Sequence, residues 1–219
     1  MITPTDYQEL LDYRRPVARI YAGARGETAG SPPDHAARSQ SFRSERDALL
    51  KNHPQSPLSE TDREHLRSLK YFDYDPSLRL SSVVDRDVEP GTLEIALRDD
   101  GPLRLQRVGK VRFGVGHDEL TLTLFCISGY GGGVLVPFKD LTSGQATYGG
   151  GRHLLDSIKH ADLGSEEGRL ILDFDYAYDP SCAYNPRWHC PLSPQRTAYR
   201  RGSQRAKRTT VARSTQGEI

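Results

Sequence analysis

Several features that would assign this chain to a class of proteins are scarce in its 219 residues. It has three cysteines, too few for a disulfide scaffold, and an odd number leaves at least one thiol free. No stretch approaches the run of about 20 apolar residues that a membrane-spanning helix needs, and the first residues lack the basic and apolar regions of a secretion signal. We therefore expect a cytoplasmic protein without a membrane partner.

A net charge of one sign is also missing, because 30 lysines and arginines balance 29 acidic residues. The balance hides an asymmetry: residues 195–219 hold seven basic residues and one acidic residue, a net charge of +6. Few large apolar residues follow Tyr199, so we expect this tail to be disordered. It is either an arm for nucleic acid or an acidic partner, or a solvated extension. Because no aromatic residue is interleaved with the charges that follow Tyr199, a nucleic-acid partner is expected, if at all, only through the tail.

Residues 1–75 have the pattern of a helical N-terminal region. Capping residues at Thr3–Asp6 and Ser59–Asp62 predict two helix starts, and a strongly charged helix is predicted between them over residues 36–50. Pro16 lies inside the first helix and is expected to kink or split it. The third helix is expected to end near Leu69.

Residues 76–194 change to the period of two that is typical of strands with one apolar and one polar face. Short turns join consecutive strands, which favours antiparallel pairing. We predict an α+β fold whose N-terminal helices pack on a mainly antiparallel β-barrel or sandwich. The segment Arg152–Gly168 suits a short helix, although its first half could equally pair as a strand with Leu170–Phe174. The predicted strands include Leu93–Leu97, Leu103–Val108, Lys110–Val115, Leu120–Leu124, Val134–Phe138 and Leu170–Tyr176.

Two glycine triplets, residues 131–133 and 149–151, lie within twenty residues of each other. The second is part of the run Tyr148-Gly149-Gly150-Gly151-Arg152, where exposed amides and a guanidinium would form a cradle for an anion. The alternative is a pair of tight turns with Arg152 in a salt bridge. The run lacks the ending of a nucleotide-binding P-loop and the spacing of a dinucleotide fingerprint, so it identifies no cofactor.

Unusual residues gather most densely between positions 172 and 191. Asp173 and Asp175 are expected on one face of a strand, where two carboxylates close to a cation such as Arg152 would have shifted pKa values and perform acid–base chemistry. An equally acceptable interpretation is that Asp175 and Asp179 cap turns. The catalytic candidates are therefore Asp173 and Asp175.

Three potential metal ligands, Cys182, His189 and Cys190, lie close together in the same stretch. Thiolate and imidazole are zinc ligands, but the spacing lacks a C-x-x-C pair, so we predict no metal and keep these residues as weak candidates. The two cysteines also suit a disulfide, a pair of buried apolar thiols, or a nucleophilic or redox site.

The motifs of this region resemble the domain-of-unknown-function 1684 family of bacteria and archaea, and the likeness extends over roughly residues 7–194. The family pattern is F-x-D-x-T-x-G-x-x-T-Y-G-x-G-R, then L-D-F-N-x-A-Y-N-P-x-C-A-Y, then C-P-L-x-P. The matching residues here are Phe138, Asp140, Thr142, Gly144, Thr147, Tyr148, Gly149, Gly151 and Arg152, then Leu172, Asp173, Phe174, Ala177, Tyr178, Pro180, Cys182, Ala183 and Tyr184, then Cys190, Pro191, Leu192 and Pro194.

This chain departs from the family pattern at three places. Asp175 and Asp179 stand where the pattern has asparagine, and the basic tail stands where the family tends to have an asparagine-rich, acidic ending. The family has no established activity, so the resemblance implies a location for the site without implying a reaction.

The residues together predict a small-molecule-binding module with a polar pocket for an anionic or sugar-like ligand. We expect Tyr148, Arg152, Asp173 and Tyr178 to line the pocket, with Gly149, Gly151 and Tyr184 as further ligand-binding residues. The first alternative is an enzyme of unknown substrate with an aspartate as general base and arginine and backbone amides as anion stabilisers. The second is an interaction protein whose tail contacts nucleic acid.

Overall fold

The computed structural model describes residues 4–97, 101–115, 118–129 and 131–194. The predicted function of the basic tail, residues 195–219, lies outside these ranges. The helices are α1 (Pro4–Arg25), α2 (His35–Asn52) and α3 (Glu60–His65). The strands are β1 (Arg79–Ser82), β2 (Thr92–Leu97), β3 (Gly101–Val115), β4 (Asp118–Ile127), β5 (Gly133–Phe138), β6 (Arg152–Asp156), β7 (Ser165–Glu166) and β8 (Arg169–Asp173).

The helices begin where their capping residues predict. The Ser59 hydroxyl accepts a hydrogen bond from the Asp62 amide at the start of α3, and the helix then ends at His65, before the predicted position. Helix α1 is continuous through Pro16, so the prediction that this proline splits it is wrong. The turns after Pro16 bury Ile20 and Tyr21, and this packing offsets the backbone hydrogen bond that proline removes. None of the described helices combines the length and the apolar character needed to cross a membrane.

The strands form two antiparallel sheets. Strands β2-β3-β4-β5-β6 are neighbours in chain order, and a second sheet has the order β1-β8-β7. The alternating residues of β4 face a core shared with the smaller sheet, which contributes Leu172 to it. The fold is therefore α+β, with three helices and two antiparallel sheets in the described part of the chain.

The structure corrects the barrel alternative. Closure of the larger sheet would need β2 to pair with β6, but these strands are its opposite edges and no pairing between them occurs among the described residues. The apolar face of the larger sheet packs instead against Leu78, Leu172 and Phe174. Two facing sheets fit the sandwich alternative.

Two local differences from the predicted strands affect the candidate site. The ambiguous segment after Arg152 begins with strand β6, which pairs with β5. The strand predicted over Leu170–Tyr176 stops at Asp173, and Phe174–Tyr176 forms a 3-10 turn. The Asp173 carboxylate accepts the Asp175 amide hydrogen at 3.0 Å, so this aspartate caps the turn and ends the strand. Asp173 and Asp175 therefore do not project from one strand face.

Candidate functional site

A cavity of about 250 Å³ lies between helices α1 and α2 and the segment 178–190, which we call the C-terminal loop. Tyr21 and Phe42 stack edge to face at 5.1 Å between ring centroids beside it. Both helices present apolar stripes toward the loop, so most of the wall is apolar. The apolar residues of the helices that line it include Leu10, Val17, Ile20, Phe42, Leu49 and Leu50.

The charged residues of the cavity wall are mostly basic. Arg14, Arg46 and Lys159 line it together with one carboxylate, Asp179. Arg46 donates a hydrogen bond to the Tyr71 hydroxyl at 3.4 Å and interacts with the Tyr184 hydroxyl, so its close partners are phenols and not carboxylates. Arg46 is half-buried in this apolar wall, where its charge acts on the carboxyl of Asp179. No described carboxylate forms an ion pair with Arg46, so its charge is available to an anion.

Four residues of the cavity wall carry buried polar atoms that have no hydrogen-bond partner among the described residues. These atoms are Asp179 Oδ1, Tyr184 Oη, Trp188 Nε1 and His189 Nε2. Buried polar atoms are nearly always paired, since an unpaired one costs about 1–3 kcal/mol. This wall therefore concentrates such atoms within the described part of the chain.

Asp179 connects the cavity to the buried arginine of the family motif. Its side chain is 5% exposed, and burial raises the pKa of its carboxyl to about 6 although the positive charges of Arg152, Arg46 and His153 lower it. Arg152 has two buried nitrogens, Nε and Nη1, without a hydrogen-bond partner in the described part of the chain. Arg152 does not line the cavity, and its charge acts on Asp179, which does.

Among the predicted ligand-binding residues, Tyr178 and Tyr184 line the cavity. Two of the weak metal candidates, His189 and Cys190, line it as well. Tyr178 donates its hydroxyl hydrogen to Asp156 Oδ2 at 2.8 Å, and Lys159 lies over its ring at 5.9 Å from the centroid. Tyr178 therefore offers a ligand its ring face. Burial raises the pKa of Asp156, but His153, whose Nδ1 lies 3.8 Å from Oδ2, the Lys159 charge and the hydrogen bond from Tyr178 outweigh burial and lower this pKa to about 2, so Asp156 stays charged.

Four of the other predicted ligand-binding residues, Tyr148, Gly149, Gly151 and Arg152, lie in or next to the loop 139–151, which we call the glycine-rich loop. Arg152 is 1% exposed, pairs with Asp140 Oδ2 through Nη2, and lies over the Phe138 ring at 4.7 Å. The other Asp140 oxygen accepts the amide and hydroxyl hydrogens of Thr142. These contacts fold the loop back on itself. Arg152 is therefore in a salt bridge, as the alternative to an anion cradle predicts.

The glycines of this loop serve close packing. Gly151 has φ +89°, and a Cβ there would lie 2.3 Å from Ser193 Oγ and 2.6 Å from the Phe138 carbonyl oxygen. A Cβ on Gly150 would lie 2.3 Å from the Tyr148 ring, whereas Gly149 has its nearest neighbour, Gly144 Cα, at 3.5 Å. The Tyr148 hydroxyl lies 3.9 Å from Cys182 Sγ.

Asp173 and Asp175 belong to a separate group, which we call the carboxyl cluster. Asp173 is fully buried, with Oδ2 3.9 Å from Arg79 Nη1, and Asp175 accepts hydrogen bonds from Arg43 Nη2 and the Asp75 amide, both at 3.0 Å. Burial raises the pKa of Asp173 to about 6 and that of Asp175 to about 7, and the Asp173 charge contributes to the raised pKa of Asp175. Neither carboxylate lines the cavity, and their cations are Arg43 and Arg79 instead of Arg152.

The weak metal candidates do not form a ligand set. Within the described ranges, no three His, Cys, Asp or Glu side chains converge as they would around a metal ion. Cys182 and Cys190 are free thiols and lie together, since the Cys182 amide donates a hydrogen bond to Cys190 Sγ at 3.4 Å.

Sequence reasoning missed the residues that α1 and α2 supply to the cavity, above all Arg46. One signal was present: Arg46 lies four residues after Phe42 and four before Leu50, so a helix places this arginine within the buried stripe of α2. A cation in such a stripe is costly to bury, which is characteristic of functional positions.

The family model and the solved structure that resemble this chain both belong to proteins without a described activity. The family model "Protein of unknown function (DUF1684)" matches residues 64–198. A similar solved structure is an NMR structure of an uncharacterised protein from Haloarcula marismortui, with 28% identity and a TM-score of 0.56, over 81% of this chain and 94% of the other. No curated protein matches.

Proposed function

This chain belongs to the family of proteins of unknown function DUF1684, and on that premise we propose that it is a small-molecule-binding module for an organic anion with an apolar or aromatic body. The observation that carries the proposal is a mainly apolar cavity whose wall holds Arg46 without a close carboxylate partner. The apolar wall suits the body of the ligand, and the basic residues suit its anionic group.

The family match covers only part of the cavity wall. The C-terminal loop and Lys159 lie within the matched residues 64–198, whereas α1 and α2 precede them. We propose that the matched part supplies the polar groups common to the site, and that the helices supply the apolar walls and Arg46. Under this proposal the glycine-rich loop supports the cavity through Arg152 and Asp179 and does not contact the ligand itself.

The size of the cavity limits the ligand. A volume of about 250 Å³ lies just below the usual range of about 300–1,000 Å³ for ligand sites. We therefore propose a ligand the size of a small aromatic carboxylate, sulfonate or phosphate. Such an anion would accept hydrogen bonds from Arg46 and from the Trp188 indole N–H, which has no partner among the described residues.

The test uses Trp188, the single tryptophan of the chain, as an internal reporter in the cavity wall. The purified full chain is titrated with phenylacetate, benzenesulfonate and phenyl phosphate, and with the uncharged phenylacetamide and benzenesulfonamide, while tryptophan fluorescence is recorded. We expect at least one anion to bind about tenfold more tightly than its uncharged analogue, since one charge-assisted hydrogen bond contributes about 1.5–3 kcal/mol.

Arg46→Gln should abolish the preference for the anion, while Arg67→Gln, which removes an exposed arginine outside this cavity, should retain it. Lys159→Gln provides a second cavity variant in case Arg46→Gln folds poorly. Equal affinity for charged and uncharged probes, or an unchanged preference in both cavity variants, would contradict the proposal.

The enzyme alternative has narrower support. Asp173 and Asp175 have the raised pKa values that a general base near neutral pH needs, but the cavity wall includes neither of them. The Asp173 carboxylate also accepts a hydrogen bond from the Asp175 amide, and the Asp175 carboxylate accepts one from the Asp75 amide. These bonds hold the backbone in place. A binding module is therefore the function that the described geometry favours.

A further inference from the structure

Cys182 and Cys190 place two thiols side by side at the edge of the cavity. The Cys182 amide donates a hydrogen bond to Cys190 Sγ at 3.4 Å, and the Cys182 side chain interacts with the same sulfur. Cys190 lines the cavity and is 8% exposed. The third cysteine, Cys126, lies in β4, where its thiol donates to the Ile127 carbonyl at 3.7 Å, so it provides an internal comparison.

The surroundings distinguish the two sulfurs. The side chain and the amide of Cys182 stabilise negative charge on Cys190 Sγ, and Lys159 and His153 add positive potential, so the pKa of Cys190 is lowered although burial opposes this. The pKa of Cys182 is raised, because its proton is engaged with Cys190 and because it is partly buried. The pair therefore has one sulfur prepared as a nucleophile and one that keeps its proton.

We propose that Cys190 is a site of oxidation by hydroperoxides and that Cys182 is its resolving thiol. A Cys190 thiolate attacks one oxygen of hydrogen peroxide, the O–O bond breaks, and the departing hydroxide takes a proton to become water. Cys182 Sγ then attacks the sulfur of the Cys190 sulfenic acid, the S–O bond breaks, and hydroxide leaves with the Cys182 proton as a second water. Two thiols are thereby oxidised to one disulfide, and one peroxide is reduced to two waters.

Hydrogen peroxide fits this site better than a disulfide reagent does. Exchange with a disulfide needs three sulfurs in line at the attacked atom, and the buried Cys190 leaves little room for a bulky group. A peroxide molecule is close to water in size and enters a cavity of about 250 Å³ easily. The disulfide product would close the segment that holds Tyr184, Trp188 and His189 of the cavity wall.

The experiment treats the reduced full chain with one equivalent of hydrogen peroxide, blocks the remaining thiols, and digests with trypsin. Arg187 separates the two cysteines, so cleavage there places them in different peptides. We expect a disulfide-linked pair of peptides containing Cys182 and Cys190, with Cys126 still reduced. Oxidation of Cys190 should be at least about tenfold faster than that of Cys126, because the thiolate is the reactive form.

Matched variants separate the two roles. Cys190→Ser should slow peroxide consumption to the rate of Cys126, and Cys182→Ser should leave a Cys190 sulfenic acid that dimedone labels. Cys126→Ser should behave as the parent, and Cys182→Ala gives a second resolving-thiol variant if the serine form is unstable. Equal oxidation rates at Cys126 and Cys190, or no linkage between Cys182 and Cys190 in the parent, would overturn the proposal.

Discussion

Arg43 of helix α2 and Asp175 of the turn after β8 form an ion pair of 3.0 Å, with side chains that are 11% and 1% exposed. The Asp75 amide donates to the other Asp175 oxygen, so one carboxylate joins a helix, the connection before β1 and the smaller sheet. Asp173 lies beside it, and its Oδ2 has no hydrogen bond among the described residues, with Arg79 Nη1 3.9 Å away. This corner of the protein therefore concentrates negative charge in a place with little solvent.

The carboxyl cluster predicts that the protein becomes less stable as pH rises from about 4 to about 7. The native pKa values of about 6 for Asp173 and about 7 for Asp175 exceed the ordinary value of 3.8, so the native state still holds protons that the unfolded chain has released. Asp179 acts in the same direction. Because a pKa difference of one between the two states corresponds to about 1.4 kcal/mol, the free energy of unfolding should fall by a few kcal/mol, measured by urea unfolding at several pH values.

The variant Asp175→Asn should flatten this decline, because it removes one titrating group and the charge that faces Asp173. Replacing the exposed Asp87 by asparagine is the matched control and should leave the slope of the parent. Asp156, whose lowered pKa has the opposite effect, loses its contribution only below about pH 4 and does not disturb this window. A stability that increases with pH across the window would contradict the prediction.

Arg152→Met should strongly destabilise the fold, by about 3–5 kcal/mol, because it leaves the buried Asp140 carboxylate without its cation. Arg104→Met breaks an exposed pair with Glu94 and should cost at most about 1 kcal/mol. Adding Asp140→Asn to Arg152→Met should recover part of the loss, because the unpaired charge is removed. Urea unfolding measures all four proteins, and similar costs for the two single arginine variants would show that the buried pair is not structural.

Gly151→Ala should destabilise the protein by about 3 kcal/mol or more. The new Cβ would clash with Ser193 Oγ and the Phe138 carbonyl oxygen in addition to adopting φ +89°. Gly168→Ala is the control, because its φ of +74° is similar and nothing lies within 4 Å of the added Cβ. The control should cost only about 1–2 kcal/mol for the backbone conformation. If both variants lose the same stability in thermal or urea unfolding, close packing is not the reason for glycine at position 151.

Local patterns in the sequence predicted most of the elements but not the site between them. The helix start at Ser59 and the strand that holds Leu120, Leu122 and Leu124 were predicted from residues that are close in the sequence. The structure confirms both elements. The turn at Phe174–Tyr176 was missed because the Asp173 side chain competes with the strand for the Asp175 amide. Alternation alone does not reveal such a competition.

The cavity was predictable only in part, for a similar reason. Tyr178 and Tyr184 were candidates because they lie in a dense motif, whereas Arg46 comes from a helix more than 130 residues earlier in the chain. Arg152 belongs to the same motif as these tyrosines but is directed to Asp140, since the glycine-rich loop folds back on itself. A motif predicts that residues are needed together, and only the fold decides which of them face a ligand.

The proposed site also predicts a pH dependence of ligand binding that Asp179 controls. Above its pKa of about 6 this carboxylate adds a negative charge to the cavity wall, so benzenesulfonate, which stays ionised, should bind more tightly as pH falls from about 8 to about 5. Asp179→Asn, which introduces the amide of the family pattern, should bind the probe more tightly than the parent at pH 8 and show little dependence on pH. The measurement is Trp188 fluorescence, with uncharged benzenesulfonamide as the control ligand. If the variant keeps the full pH dependence of the parent, another group is responsible, and the role assigned to Asp179 is wrong.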